Sequence, residues 1–206
     1  MTSILLHPTY FPTIETFVAI ANTDSVTFEV FDNYQKQTYR NRCYIYAANG
    51  KLQLSVPVIY TQKNRQLYQD VKIANTYNWQ DIHFKSLESA YRTSPFYEYY
   101  IDDIKPLYTE SFDSILDFNL ACFEVICEAL QLDITITKTE NFEKEPEDSL
   151  DYRYLVNAKK DTVLQFDNYT QVFNAKHGYI NNLSILDLLF NEGPSALAYL
   201  EAQNAI

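Results

Sequence analysis

The chain has 206 residues, 47% of them hydrophobic and 21% charged, which is the composition of one folded domain rather than of a disordered segment. It holds only 3 Gly against 18 Tyr and 13 Phe. Gly50, Gly178 and Gly193 lie too far apart to build a dinucleotide fingerprint or a Walker-type phosphate loop, and a net charge of −11 argues against general affinity for nucleic acid or an anionic membrane.

Ser3–Leu6 reads as a short buried strand ending at His7-Pro8. Ile14, Phe17, Val18 and Ala21 then fall at helical spacing, which predicts a helix over 13–22 with Pro12 at its first position and Asn22 as its stop. Val26–Phe31 is β-rich, so the opening is a strand, a helix and a strand with short links, the pattern of a parallel βαβ unit. The polar stretch from Asp32 to Arg42 reads as a loop. CYIYA and LQLSVPV flank Asn49-Gly50, a strong hairpin signal. Helices are expected over 79–92, 95–105 and 112–131, the second capped by Ser94-Pro95. ITITKT, residues 134–139, is a strand, and the acid-rich 140–151 is a surface loop. Val163–Phe166 and Tyr169–Phe173 look β-like. Ser184, with Asp187 three residues on, predicts a capped helix closed by Gly193, and Pro194 opens a last one. The expected fold is α/β: a mixed sheet with a parallel βαβ start and an antiparallel hairpin, covered by helices, in one domain spanning 1–206.

Charge is segregated along the chain. Seven basic residues, Lys36, Arg40, Arg42, Lys51, Lys63, Arg65 and Lys72, face one acid, Asp70, between positions 36 and 72. That window therefore stands at +6 within a chain whose net charge is −11. It reads either as a local anion site or as a solvated strand-and-loop surface. The cysteines Cys43, Cys122 and Cys127 are odd in number and lack CxxC spacing, which suits a reducing compartment. The first residues lack a basic n-region and their apolar run is broken by His7-Pro8, so no signal peptide is expected and the location expected is cytoplasmic. The longest apolar runs, about five residues, are too short to span a bilayer, so neither membrane insertion nor a nucleic-acid partner is expected.

The three histidines, His7, His83 and His177, show no metal-ligand spacing, so no metal site is expected, and no GxSxG or nucleophilic Cys context occurs. The densest polar cluster is Asp32, Asn33, Lys36, Tyr39, Arg40, Asn41 and Arg42. Asp32 follows the second strand and His7 the first, and ligands of α/β sheets bind at the carboxyl ends of strands. Arg40 and Arg42 match phosphate or carboxylate geometry. His83 sits on the apolar stripe of its helix, where a satisfied core residue is the commoner outcome. Tyr97, Tyr99 and Tyr100 could form an aromatic wall for a sugar.

LLHPTYFPTIETFVAI, VTFEVFD, YRNRCYIYAANGKLQLSVPV, the Trp79, His83, Tyr91 and Ser94-Pro95-Phe96-Tyr97 positions, YTQVF and LSILDLLFNEGP together resemble the WbqC-like family. The match covers nearly the whole chain and is most specific in the NR…NG…VPV block. The chain looks like a shortened branch: Thr13–Thr16 stand where members often carry a glycine, and no glycine-rich stretch separates Arg153 from Tyr169. Members occur in O-antigen and other surface-polysaccharide gene clusters. The resemblance therefore implies a transferase moving an amino-acid or acyl group onto a sugar or sugar nucleotide, or else a non-catalytic glycan- or partner-binding protein of such a pathway. On that basis His7, Asp32 and His83 are candidate catalytic groups, with His7 or His83 as base for an acceptor amine. Tyr10, Lys36, Arg40, Asn41, Arg42, Tyr91 and Gln171 are candidate substrate contacts. The expected ligand is an anionic small molecule of the sugar-nucleotide kind, and no motif names a cofactor.

Overall fold

The computed structural model describes residues 3–61, 65–147, 149–160, 162 and 164–203. Its elements in chain order are β1 (Ser3–Leu6), α1 (Ile14–Ala21), β2 (Ser25–Phe28), β3 (Arg42–Ala47), β4 (Gly50–Ser55), β5 (Val58–Ile59), β6 (Lys72–Ile73), α2 (Trp79–Tyr91), α3 (Tyr97–Ile104), the single turn α4 (Pro106–Thr109), α5 (Ile115–Leu130), β7 (Thr135–Lys138), β8 (Leu150–Asp151), the single turn α6 (Asn174–His177), α7 (Ile185–Glu192) and α8 (Ala196–Ala202).

The fold is α/β and begins with the expected parallel βαβ unit, Ser3 to Leu6 pairing with Ser25 to Phe28 in register. β7 adds to β2 and β8 to β1, both parallel, giving the order β7-β2-β1-β8. The antiparallel ladders β3-β4 and β5-β6 are separate from that sheet. Strand alternation puts Ile4, Leu6, Val26 and Phe28 on one buried face. Phe123 of α5 meets Phe28 edge-on at 5.0 Å and stacks on Phe17 of α1 at 5.8 Å, locking helix to helix and helix to sheet. Cys43, Cys122 and Cys127 are free and buried, and burial pushes the Cys127 thiol up to about 12.

The sequence expectations differ from the structure in several places. α1 is capped by Thr13, whose Oγ1 accepts the Thr16 N–H at 3.3 Å, so Pro12 lies outside the helix. In the hairpin Ala47 pairs with Gly50, and the left-handed backbone falls on Gly50 alone (φ 98°), not on Asn49. α3 starts at Tyr97, because Ser94 Oγ donates instead to the Tyr91 carbonyl at 2.6 Å and closes the end of α2. The acid-rich loop ends in a strand: Leu150–Asp151 takes the open edge of β1. The β-like stretch after 163 forms no strand over 164–173, and Val163 itself lies outside the described residues. Side-chain amides serve its backbone there, with Asn181 Nδ2 on the Leu164 carbonyl and Gln203 Oε1 on the Asp167 N–H, so buried Phe166 and Tyr169 need no ladder. Ser184 caps α7, accepting the Leu186 N–H at 3.4 Å, but Asp187 turns its carboxylate to buried partners instead of back to the cap.

Gly193 ends α7 at φ 53°, and a Cβ there would meet the Phe96 ring at 2.4 Å. Gly193→Ala is therefore expected to cost about 2 kcal/mol or more in urea unfolding, since it combines backbone strain with a clash against a packed ring.

Candidate functional site

β1 lies between β2, which follows it, and β8, which arrives from much later in the chain. The residues leaving the carboxyl ends of these three strands converge on one cavity of about 600 Å³. His7 comes directly after β1, Asp32 from the loop after β2, and Arg153 from the turn after β8. The other walls include Glu15, Lys36, Arg40, Lys159, Lys160 and Asn182.

Arg40 and Asp32 form the floor. Arg40 has no solvent-exposed surface, donates from Nη2 to Asp32 Oδ2 at 3.0 Å and lies over the Tyr68 ring at 5.3 Å. Its Nε and Nη1 have no hydrogen-bond partner among the described residues. A buried chain of bonds fixes its backbone: Asn119 Nδ2 donates to the Arg40 carbonyl at 2.7 Å and to Tyr68 Oη at 2.6 Å, and Tyr68 donates to the Pro8 carbonyl at 2.7 Å.

His7 Nε2 lies 2.9 Å from the same Asp32 oxygen that Arg40 holds, and the Asn33 N–H donates to the other at 2.7 Å. Burial pushes Asp32 up, but His7, Arg40 and that N–H outweigh it and hold the carboxyl below its usual range. Burial first, and Arg40 second, push His7 down to about 4 against the pull of Asp32. At neutral pH the pair is therefore a neutral imidazole donating from Nε2 to a carboxylate. Nδ1 keeps its lone pair and has no partner among the described residues.

The expected site residues divide into four groups. His7, Asp32, Lys36 and Arg40 are brought together in the cavity. Arg40 lies beneath the surface and holds Asp32, so it does not present a fork to a phosphate; Lys36 extends over the Tyr60 ring at 5.0 Å. Tyr10 and His83 lie elsewhere, in a buried aromatic cluster. The Tyr10 hydroxyl sits 2.9 Å from His83 Nδ1 and 2.7 Å from Tyr108 Oη, and His83 meets Trp79 edge-on. Burial pushes His83 down to about 4, and the apolar stripe that carries it explains its place in the core. Asn41 bonds the Val56 carbonyl at 3.0 Å and its own carbonyl receives the Val56 N–H at 2.8 Å, so the NR and VPV blocks are tied to each other. Arg42 pairs with Gln53 on the hairpin surface.

Tyr91 and Gln171 meet on Asp187. This buried carboxylate accepts Tyr91 Oη at 2.8 Å, Gln171 Nε2 at 2.9 Å and the Tyr169 hydroxyl. Burial pushes Asp187 up to about 6 against those three donors. Tyr91 and Gln171 therefore bind the protein to itself. Tyr97 and Tyr100 are buried and only Tyr99 is exposed, so the three do not make a common wall.

The basic window also divides. Lys51 rests on the Tyr44 ring at 4.4 Å, Lys63 lies outside the described residues, and of the described cations of the window only Lys36 and Arg40 reach the cavity. Its remaining cations, Arg153, Lys159 and Lys160, come from a stretch that sequence reading passed over. The signal available was three cations between 153 and 160, directly after an acidic run. Arg153 is committed to Asp151, with Nη2 to Oδ2 at 2.7 Å and Nε to Oδ1 at 2.8 Å, and lies 3.6 Å from buried Glu29.

The model of the WbqC-like protein family matches residues 7–164, a span that takes in His7, Asp32, Arg40 and the lysines of the cavity. The chain belongs to the WbqC-like protein family. This WbqC-like chain is also similar to Uncharacterized protein Rv1507c of Mycobacterium tuberculosis (strain ATCC 25618 / H37Rv), at 25% identity over 224 residues covering 95% of this chain and 96% of that protein. No solved structure matches it. Among the described residues no helix is long and apolar enough to cross a membrane.

His7 and His83 both have folded values near 4 against 6.5 when free. Between those values the unfolded chain takes up protons that the folded chain refuses, so both histidines make stability fall as pH falls through the window. Replacing one removes its share: H83Q is expected to flatten the slope of unfolding free energy against pH by about 1 kcal/mol per pH unit in urea titrations across that range.

Proposed function

We propose that this WbqC-like protein is a transferase of bacterial surface-polysaccharide biosynthesis, placing an amino-acid or acyl group on a sugar or sugar nucleotide. The observation that carries the reading is the His7–Asp32 pair on the floor of a cavity that also holds three lysines free of ion pairs among the described residues. Lys36, Lys159 and Lys160 supply charge for a diphosphate, in a chain whose net charge of −11 otherwise repels anions. That arrangement suits an anionic, hydroxyl-rich ligand of the sugar-nucleotide class without any glycine cradle.

The chemistry follows from the tautomer. Asp32 accepts the Nε2 proton of His7, and Nδ1 offers its lone pair to the nucleophile of the acceptor. As an acceptor amine attacks the carbonyl carbon of an acyl donor activated as an ester or thioester, its proton passes to Nδ1 and the carbonyl π pair moves onto oxygen. Collapse of that adduct breaks the bond to the leaving group, which takes the proton back from Nδ1. Asp32 and its partner Arg40 keep the ring oriented and the carboxylate ionised throughout, and the carboxylate stabilises the transient imidazolium.

One observation favours a second reading. A histidine pushed down to about 4 is a weak base in the unliganded protein, which suits a non-catalytic glycan-binding protein of the same pathway. The two readings part on turnover: stoichiometric binding with no transfer from any aminoacyl or acyl donor supports the second.

The proposal is tested by a thermal-shift screen against sugar nucleotides and by kinetics on the ligand found. His7→Gln, which leaves the buried Arg40–Asp32 pair intact, should keep the ligand-induced shift and lower turnover by about 100-fold or more. K159A/K160A should lose most of the shift while the unliganded protein keeps its melting temperature. A full shift in the double lysine variant would remove the lysines from the site.

A further inference from the structure

The cavity has a second chemical end. Glu15 lines it from the first turn of α1, half-buried, and its carboxylate is clamped from two sides. Thr162 Oγ1 donates to Oε1 at 2.6 Å and Asn182 Nδ2 donates to Oε2 at 2.8 Å. The Asn182 amide grips the same residue again, its Oδ1 accepting the Glu15 N–H at 2.9 Å. Asn182 reaches this position in a left-handed backbone, φ 52°, a conformation that asparagine tolerates and most residues avoid. Both carboxylate oxygens are thus aimed, and each keeps lone-pair capacity for a further donor.

No Lys or Arg forms an ion pair with Glu15 among the described residues, although Lys36, Lys159 and Lys160 line the same cavity. Asp32, the other carboxylate in the lining, is already committed to His7 and Arg40. Tyr154 lies near enough for the charge of Glu15 to help raise its phenol, after burial and Tyr152, and it too lines the cavity. A carboxylate with free lone pairs, in a cavity that a tyrosine also lines, suits a cation bearing several N–H donors. The same cavity holds His7 and Arg40, each more than nine-tenths buried and each with unpartnered nitrogen atoms among the described residues. The lining therefore carries polar groups beyond those the described residues satisfy.

We propose that Glu15, held by Thr162 and Asn182, is a recognition site for a primary ammonium group on the ligand. The inference rests on the reading of the cavity as a ligand site and sharpens it: the lysines take an anionic part and Glu15 a cationic one, so the occupants together carry both charges. Two sources supply an ammonium, the amine of an amino sugar and the α-amine of an amino acid.

Calorimetric titration of the intact protein separates them. In one arm wild type and E15Q are titrated with UDP-glucosamine and UDP-N-acetylglucosamine. In the other they are titrated with glycine and N-acetylglycine in the presence of UDP-N-acetylglucosamine. In one arm, acetylation should weaken binding to wild type by about tenfold or more. In E15Q that preference should vanish while affinity for the acetylated compound stays within about twofold, which a purely structural role at the start of α1 would not produce. If the sugar nucleotides bind but neither arm shows an amine preference that E15Q removes, Glu15 is not the ammonium site and the nucleotide-sugar reading stands. If wild type binds no compound in either arm, both fall together.

Discussion

A wholly buried guanidinium is the constraint on which the rest of this structure depends. Arg40 has no access to water, so its charge must be matched inside the protein or the fold cannot contain it. Asp32 supplies the countercharge and the Tyr68 ring supplies a π face. That requirement reaches outward. Asp32 must stay ionised, which fixes the proton of His7 on Nε2, and His7 must stand at the carboxyl end of β1 to receive it. Tyr68 and Asn119 then tie the Arg40 backbone to Pro8 next to His7. Removing one member of such a set leaves an uncompensated buried charge, a larger loss than a missing contact.

A second buried charge organises the other end of the chain. Asp187 draws Tyr91 from α2 and Tyr169 and Gln171 from a segment with no regular structure. Residues 164–173 keep one path because their polar groups are met by side chains from elsewhere, Asn181 and Gln203 among them. The two networks differ in consequence. Around Asp187 each donor ends on protein. Around Arg40 and His7 some nitrogen atoms find no partner among the described residues, and that surplus lies beside a cavity.

Much of the frame was legible in the sequence because it rests on local rules. The βαβ opening follows from apolar spacing over 3–31, the hairpin from Asn49-Gly50, and the long helix from its stripe. His7 and Asp32 were legible as a pair because each follows a parallel strand, and strand ends share one edge. What stayed hidden depends on distant partners. Leu150–Asp151 is a strand only because β1 has an open edge, and two residues hold no periodicity to read. Tyr91 and Gln171 resemble ligand contacts until Asp187, 96 and 16 residues away, claims them. His83 lay on its apolar stripe in plain view, and the stripe described its surroundings better than its chemical type did. Arg153, Lys159 and Lys160 escaped because they sit in irregular chain, where spacing carries no geometric meaning.

The walls of the cavity come from stretches spread between His7 and Asn182. Glu15 needs Asn182, and the backbone of Ile14 is bonded to the Leu183 carbonyl at 3.0 Å. Such long-range closures form late in folding, because the loops they shut are costly in entropy until the core beneath exists. During synthesis the first strands leave the ribosome long before the residues that complete their site. For most of its translation the chain therefore has a sheet in the making and an unfinished cavity, and no fragment ending before residue 182 contains the whole of its lining.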